Sequence, residues 1–300
     1  MKTALDLALT ALAPVIWGTS YLVATTWLAG FDPLLVALLR ALPAGLLLIL
    51  IVRRLPAGIW WVRVFCLGAL NFSIFWWMLF VAAYRLPGGL AATVGAVQPL
   101  VVVFLARLVL GTPVRAVSVV AAVTGMLGVA LLILTPEAAL DPLGVAAGFA
   151  GAASMAAGTV LTRRWQPSVP LVTFTAWQLA AGGLLLLPAL WWIDLGAVHF
   201  TAGNLAGLAY LGLVGAALTY LIWFRGLARL DPTLVSPLGF LSPVTAVLLG
   251  WLVAGENFTA LQTAGLILVA ASLLAAQIRI PRRVPTPAEG IAAGAQQPAL

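Results

Sequence analysis

The amino-acid sequence predicts an all-α membrane protein with ten transmembrane helices, arranged as two inverted five-helix repeats. Three observations support this fold class. Of the 300 residues, 63% are hydrophobic and only 8% are charged, whereas soluble domains carry roughly 25% charged residues. Apolar runs of about 20 residues, the length that crosses a bilayer as a helix, follow one another along nearly the whole chain. The second half of the chain also repeats features of the first.

Ten candidate spans follow from measuring the apolar runs against this length. The runs are continuous and lack the alternation of barrel strands, so they favour helices. Short loops that contain Pro, Gly or charged residues separate them. The predicted spans are 4–28, 33–52, 62–84, 87–110, 114–134, 142–163, 170–193, 204–227, 232–254 and 258–278.

An internal repeat indicates that the chain is a duplication. The stretch from Arg85 to Gly111 returns from Arg229 to Gly255 at a constant offset of 144 residues, which places Pro99 on Pro243. Self-similarity at a fixed period is the signature of repeated structural units. We therefore expect two related halves.

The repeat also predicts how the halves lie in the membrane. We expect a first unit in residues 1–136, a second in 137–280, and a disordered cytoplasmic tail in 281–300, which has no apolar stripe. Each unit holds five spans, an odd number, so the second enters the membrane inverted, as in many transporters. Two such halves can pack in two nearly equivalent ways, one open to each side. An old duplication retained for stability is the alternative.

The basic residues predict the orientation of the chain. With a cytoplasmic N-terminus, thirteen Lys and Arg residues fall at cytoplasmic ends of spans, and only Arg85 falls on the opposite side. Lys and Arg in short loops set topology. Both termini are therefore expected in the cytoplasm of a multi-pass inner-membrane protein. The net charge of +7 is attributed to these loops, and nucleic acid is not an expected partner.

Several short motifs occur in a characteristic order. They are WGTSY (Trp17–Tyr21), the second span around Arg40, Gln98-Pro99, Trp177-Gln178, Ser242-Pro243 and Gly255-Glu256.

Together these motifs resemble the EamA-type branch of the drug/metabolite transporter superfamily over roughly residues 5–278. The resemblance implies ten helices in two inverted repeats, a central cavity, and export of small metabolites, often amino acids. The abundance of Trp and Phe is similar to the aromatic amino-acid exporters of that branch. One departure is that Gly111-Thr112 lacks the acid that Glu256 supplies in the second half, which puts a paired acid in doubt.

Arg40 is the clearest charged residue at membrane depth, about seven residues into the second span. An ionisable residue inside the membrane is a functional hypothesis by default. The alternative is a structural tie to Asp32 or to helix carbonyl groups. Arg107 and Arg225 lie near cytoplasmic ends and are interpreted as headgroup anchors, and Glu256 is interpreted as a cap of the tenth helix.

The remaining candidate site residues are neutral polar or aromatic. Gln98 and Ser242 occupy equivalent positions before prolines, and helices broken at a repeat interface are where substrate sites form. Other polar groups at depth bind substrate or join helices, and deep aromatic rings bind substrate or pack in the core. The candidate set is Trp17, Ser20, Tyr21, Arg40, Asn71, Phe75, Trp77, Gln98, Ser154, Trp177, Gln178, Tyr220 and Ser242.

No span carries an Asp or Glu near its middle, and the single histidine, His199, falls in a loop. Hydrolysis needs a nucleophile with a base or paired acids, so an enzyme is not expected. Proton-coupled pumps use a buried acid, and its absence favours facilitated transport. Cys66 is the only cysteine and is interpreted as ordinary packing. Neither a metal site nor a cofactor is predicted.

The sequence therefore predicts an exporter of small neutral or zwitterionic metabolites, chiefly amino acids with apolar or aromatic side chains. The expected partners are this small-molecule substrate and the lipid bilayer. The oligomeric state is open and is compatible with a monomer. The rivals are carriers of nucleotide sugars, phosphorylated metabolites or drugs, and a non-transporting receptor or scaffold. Nucleotide-sugar and phosphorylated-metabolite carriers would favour several cations in the cavity, and a cationic-drug pump would favour a buried carboxylate.

Overall fold

The computed structural model describes residues 2–85, 94–133, 141–193, 198–254 and 259–277. These ranges are helical and contain no strand, which confirms the all-helical class. Seven helical runs are long and apolar enough to cross a membrane, and three shorter apolar helices accompany them in the described ranges. The chain is a multi-pass membrane protein. The ten crossings and the inverted arrangement stay predictions, and the C-terminal tail lies outside the described residues.

The helices are labelled α1 to α10 in chain order, and four of them change helical type along their length. They are α1 (Lys2–Trp27), α2 (Pro33–Val52), α3 (Trp60–Gly68, a π-helical segment Ala69–Ser73, and Ile74–Arg85), α4 (Gln98–Leu110), α5 (Ala116–Ile133), α6 (Pro142–Arg164), α7 (Leu171–Leu186 and a 3-10 turn Leu187–Trp191), α8 (Ala202–Ala209, a π-helical segment Tyr210–Leu218, and Thr219–Arg229), α9 (Pro232–Val235, a 3-10 turn Ser236–Phe240, and Leu241–Ala254) and α10 (Ala260–Ala276).

Three helices begin at an Asp-Pro pair. The carboxylates of Asp32, Asp141 and Asp231 each accept backbone N–H groups of the first turn, and the following proline occupies the first helical position. Proline is favoured there because its missing N–H would be unpaired anyway. The Gly144 N–H and the nearby Arg85 guanidinium hold the pKa of the Asp141 carboxyl below its usual value. These pairs set where α2, α6 and α9 start.

Helix α10 begins with a capping box. Thr259 Oγ1 accepts the Gln262 N–H, and the Gln262 side chain accepts the Thr259 N–H. Two backbone donors are satisfied reciprocally in such a box. Thr259 is therefore the N-cap residue of α10. Glu256, the predicted cap, lies outside the described residues.

Glycines allow two helix pairs to approach closely. A Cβ on Gly45 of α2 would lie 2.3 Å from the backbone nitrogen of Ala180 in α7, and one on Gly183 would lie 2.6 Å from the α2 backbone. Between α5 and α10, a Cβ on Gly265 would lie 2.6 Å from the carbonyl oxygen of Gly128. Small residues that permit backbone contact are typical of membrane helix packing. Gly45, Gly128 and Gly183 therefore allow the close approach of these helices.

The helices pack in a reciprocal pattern. Helix α2 packs on α7, and α5 packs on α10. Helices α3 and α4 both pack on α6, and their counterparts in the second half, α8 and α9, both pack on α1. The segments Ala69–Ser73 and Tyr210–Leu218 interrupt α3 and α8 at positions related by the 144-residue offset. Both halves thus deviate from regular helix at the same place.

Substitution of Gly45 by Ala is expected to destabilise the protein by about 1–3 kcal/mol, because the added methyl group overlaps the α7 backbone and overpacking costs this much. Thermal unfolding of the purified protein in detergent measures it. Gly203→Ala is the matched control, since its Cβ would meet only Thr201 Oγ1, at 3.7 Å. Equal stability of the two variants would contradict the close α2–α7 contact.

Candidate functional site

A cavity of about 260 Å³ lies midway along the helices, between parts of both halves of the chain. Small-molecule sites commonly measure roughly 300–1,000 Å³, so the ligand of this cavity is small. The described lining combines aromatic, apolar and neutral polar side chains with one charged residue, Arg40. Its residues are Trp17, Ser20, Val36, Arg40, Phe75, Trp76, Leu79, Gly95, Ala96, Gln98, Pro99, Met155, Leu211, Tyr220, Trp223, Ser236, Gly239, Phe240, Ser242 and Pro243.

Arg40 lines the cavity and connects α2 to α8. Its Nη2 donates to the Gly215 carbonyl oxygen at 2.6 Å, and its guanidinium lies over the Trp76 ring, 4.9 Å from the centroid. The predicted tie to a helix carbonyl is confirmed. The carboxylate of Asp32, the other partner considered, accepts backbone N–H groups at the start of α2. A guanidinium stacked on an aromatic face keeps its charge at low cost in such a site.

An aromatic cluster forms one wall of the cavity. The Trp17 ring lies 5.1 Å from Tyr220 and 5.2 Å from Trp223, and Tyr220 lies 4.5 Å from Phe72. The Trp17 Nε1 donates to Thr219 Oγ1 at 2.8 Å, which fixes the indole in α1 against α8. Rings at these distances and tilts pack favourably. The wall is therefore rigid and presents aromatic faces and edges to a ligand.

Three residues that line the cavity carry a buried polar atom without a hydrogen-bond partner among the described residues. The atoms are Ser20 Oγ, Trp223 Nε1 and Ser236 Oγ. Trp223 and Ser236 are each only 1% exposed. A buried donor or acceptor left unpaired costs free energy, so the walls of this cavity retain unused hydrogen-bonding capacity.

Two of the cavity helices are interrupted where they reach the cavity. Helix α4 begins at Gln98 with Pro99 in its first turn, and α9 changes from a 3-10 turn to α-helix just before Ser242 and Pro243. Proline has no N–H to donate, so it begins helices more readily than it continues them. The structure places Gln98 and Ser242 together in the lining, at equivalent positions of the two halves.

Not every sequence-predicted residue reaches the cavity. Trp17, Ser20, Arg40, Phe75, Gln98, Tyr220 and Ser242 line it. Asn71 and Gln178 are instead fully buried and contact each other: Asn71 Nδ2 donates to Gln178 Oε1 at 2.9 Å and to Thr162 Oγ1 at 3.1 Å. They join α3, α6 and α7, as the helix-joining alternative predicted.

Three further candidates, Ser154, Trp77 and Trp177, are not among the described lining residues of the cavity. Ser154 Oγ donates to the Leu70 carbonyl at 2.9 Å, and Trp177 Nε1 donates to the Arg54 carbonyl at 2.7 Å. Trp77 is 52% exposed on the outside of α3. Tyr21 belongs to α1, but its side chain lies outside the described part of the chain.

The sequence interpretation missed Trp76, Trp223 and Ser236. Trp76 is the neighbour of the chosen Trp77, and the 144-residue offset places it on Tyr220, which was chosen. That correspondence was the available signal for Trp76. No comparable signal pointed to Trp223 or Ser236, because packing between helices decides which faces of α8 and α9 line the cavity.

Basic residues tie helices together at one end of the molecule. Asp6 of α1 pairs with Arg225 at 2.6 Å and Arg229 at 3.3 Å, both in α8. Arg163 of α6 donates to α8 carbonyl groups. The interpretation of Arg225 as a headgroup anchor is therefore wrong, because an internal carboxylate holds it. By the helical rise of 1.5 Å per residue, these pairs lie about 16 Å along α1 from Trp17.

Comparison with known proteins places this architecture in context. The model of the EamA-like transporter family matches residues 5–134 and 142–276. The chain is 46% identical to Protein PecM of Dickeya dadantii, over 88% of this chain and 90% of that protein. It is 27% identical to a probable amino-acid metabolite efflux pump of Salmonella typhimurium, over 88% of this chain and 92% of that protein. A solved crystal structure with 21% sequence identity superposes with a TM-score of 0.77, over 91% of this chain and 97% of the other, which supports the fold.

Substitution of Asn71 by Ala is expected to lower the free energy of unfolding by about 1–3 kcal/mol, because Gln178 and Thr162 lose a buried partner. Ser236→Ala is the matched test at another fully buried polar residue. It should leave stability unchanged or raise it, since Ser236 Oγ bonds to nothing among the described residues. Thermal unfolding in detergent compares them. A loss for Ser236→Ala as large as for Asn71→Ala would show that the serine hydroxyl is used within the protein.

Proposed function

The chain belongs to the EamA-like transporter family, and from that membership we propose that it exports small neutral or zwitterionic metabolites. Amino acids with apolar or aromatic side chains are the substrates we propose first. The observation that carries this proposal is the small cavity between the halves, which is rich in aromatic rings and, in its described lining, has no carboxylate. The name of the Salmonella relative, an amino-acid metabolite efflux pump, points the same way.

We propose that residues 1–136 and 137–280 form two inverted five-helix units. The reciprocal packing supports this arrangement. In this arrangement α1 is equivalent to α6, α3 to α8, and α4 to α9. The contact of α3 with α6 then has its equivalent in the contact of α8 with α1, and the contact of α4 with α6 in that of α9 with α1. The same correspondence leaves the α2–α7 and α5–α10 pairs unchanged. Such a pattern is expected of a pseudo-two-fold axis between the units.

Transport in this proposal proceeds by alternating access. The pairs of Asp6 with Arg225 and Arg229, and of Arg163 with α8, hold one end of the helices together. The basic residues at that end favour its placement on the cytoplasmic side. Rocking of the units would break these contacts and expose the cavity to the cytoplasm. The described lining holds no Asp or Glu to exchange a proton, so we propose facilitated export across the inner membrane.

The transport proposal predicts flux of amino acids in proteoliposomes that hold the full-length protein. Radiolabelled phenylalanine, tryptophan and leucine should exchange faster than lysine or aspartate, without an imposed proton gradient. Phe75→Ala should lower the phenylalanine flux by about threefold to tenfold, because a ring contact of the cavity is lost. Trp77→Ala, on the exposed face of the same helix, is the control and should keep it. No flux for any amino acid would refute the substrate class.

The topology proposal predicts that two equivalent loop positions lie on opposite sides of the membrane. Leu55 and His199 are both exposed and differ by 144 residues. After replacement of Cys66 by Ala, a cysteine at position 199 should react with a membrane-impermeant maleimide in intact cells, and one at position 55 should react only after permeabilisation. Labelling of both from the same side would exclude inverted units.

A further inference from the structure

A notch with room for one methyl group lies at Gly215, in the π-helical segment of α8, next to the cavity-lining residues Arg40 and Ser20. The Gly215 carbonyl accepts Arg40 Nη2 at 2.6 Å and Thr219 Oγ1 at 2.8 Å. A Cβ on Gly215 would lie 3.5 Å from Arg40 Nη2 and 3.6 Å from Ser20 Oγ. The guanidinium and the serine hydroxyl therefore flank a place that this residue, for want of a side chain, leaves unfilled.

The equivalent place, between α3 and α7, is filled by an amide side chain. The 144-residue offset puts Asn71 on Gly215, and the second-span alignment at an offset of 138 puts Gln178 on Arg40. Asn71 donates to Gln178 and Thr162, and all three are fully buried. The contact of α3 with α7 thus uses these positions for an internal polar cluster. The equivalent contact of α8 with α2 has glycine in place of the amide and, in place of the glutamine, a cation that lines the cavity.

The chemistry of the notch favours an anion. Arg40 is the one charged residue among the described lining residues, so the lining carries net positive charge. Ser20 Oγ is buried and has no hydrogen-bond partner among the described residues. A guanidinium and a hydroxyl are common partners of a carboxylate, and charge-assisted hydrogen bonds are strongest where water is excluded.

We propose that Arg40 and Ser20, at the Gly215 notch, bind the carboxylate of the substrate, while the aromatic wall holds an apolar or aromatic body. The described lining has no acid to pair with an ammonium group, so the amino group of an amino acid is not required for binding. This inference rests on the proposed transport function and narrows it to small carboxylates with an apolar body, with or without an amino group.

Ligand-induced stabilisation of the purified full-length protein in detergent tests the proposal without transport. The probes are 3-phenylpropionate, which lacks the amino group of phenylalanine, and phenethylamine, which lacks the carboxylate. We expect 3-phenylpropionate and phenylalanine to raise Tm in a saturable way and phenethylamine to leave it unchanged.

Variants of the same π-helical segment locate the effect. Gly215→Ala meets its neighbours only at van der Waals distance, so it should fold. Its methyl group fills the notch and should weaken 3-phenylpropionate binding about tenfold or more, as expected when a charged hydrogen bond is lost. Gly212→Ala is the control, since its Cβ would lie 3.5 Å from the Arg40 carbonyl and away from the notch. Arg40→Gln should also lose binding, and Arg40→Lys should keep part of it.

Several outcomes would overturn the proposal. They are stabilisation by phenethylamine equal to that by 3-phenylpropionate, unchanged binding by Gly215→Ala, and no stabilisation by either carboxylate. If Arg40→Gln does not fold, the comparison of 3-phenylpropionate binding between Gly215→Ala and Gly212→Ala still tests the proposal. Carboxylate binding as expected, with no amino-acid flux in proteoliposomes, would leave this site standing and remove the export function.

Discussion

Close backbone contact between helices is the constraint on which this structure depends. Between membrane helices the hydrophobic effect contributes little, because lipid tails are as apolar as leucine side chains. Association then requires close packing, and Gly45 with Ala180 and Gly128 with Gly265 bring α2 to α7 and α5 to α10. Each of these pairs joins one half of the chain to the other. The remaining helices lie around them, and the space left between the two halves becomes the cavity.

Four irregular parts of the helices belong to this arrangement. The π-helical segments of α3 and α8, the 3-10 turn of α9 and the start of α4 occur where helices reach the cavity or cross between halves. Regular helix satisfies its own backbone, so irregular backbone at membrane depth persists only where protein or a cavity surrounds it. In α8 this irregularity presents the Gly215 carbonyl to Arg40 and Thr219. In α3 it positions Asn71 against α6 and α7.

The two halves therefore keep one framework and differ in chemistry. At the contact of α3 with α7, an amide cluster joins helices and is not part of the described cavity lining. At the equivalent contact of α8 with α2, a glycine lies beside an arginine that does line the cavity. Asn71 and Gln178 therefore join helices, whereas Arg40 and Ser20 are placed at the cavity.

The sequence by itself determined the helical class, the approximate positions of the apolar helices, the internal repeat and the family. Each of these follows from local hydropathy or from the spacing of residues along the chain. The sequence also indicated Gln98 and Ser242 through their prolines. Only the tertiary structure decided that Trp76 and not Trp77 lines the cavity, that Arg225 is held by Asp6, and that Asn71 and Gln178 contact each other. The physical reason is that these helices are apolar on every face. Hydropathy then indicates that a residue lies in the membrane, but only the packing of the helices determines whether its side chain contacts lipid, another helix or the cavity.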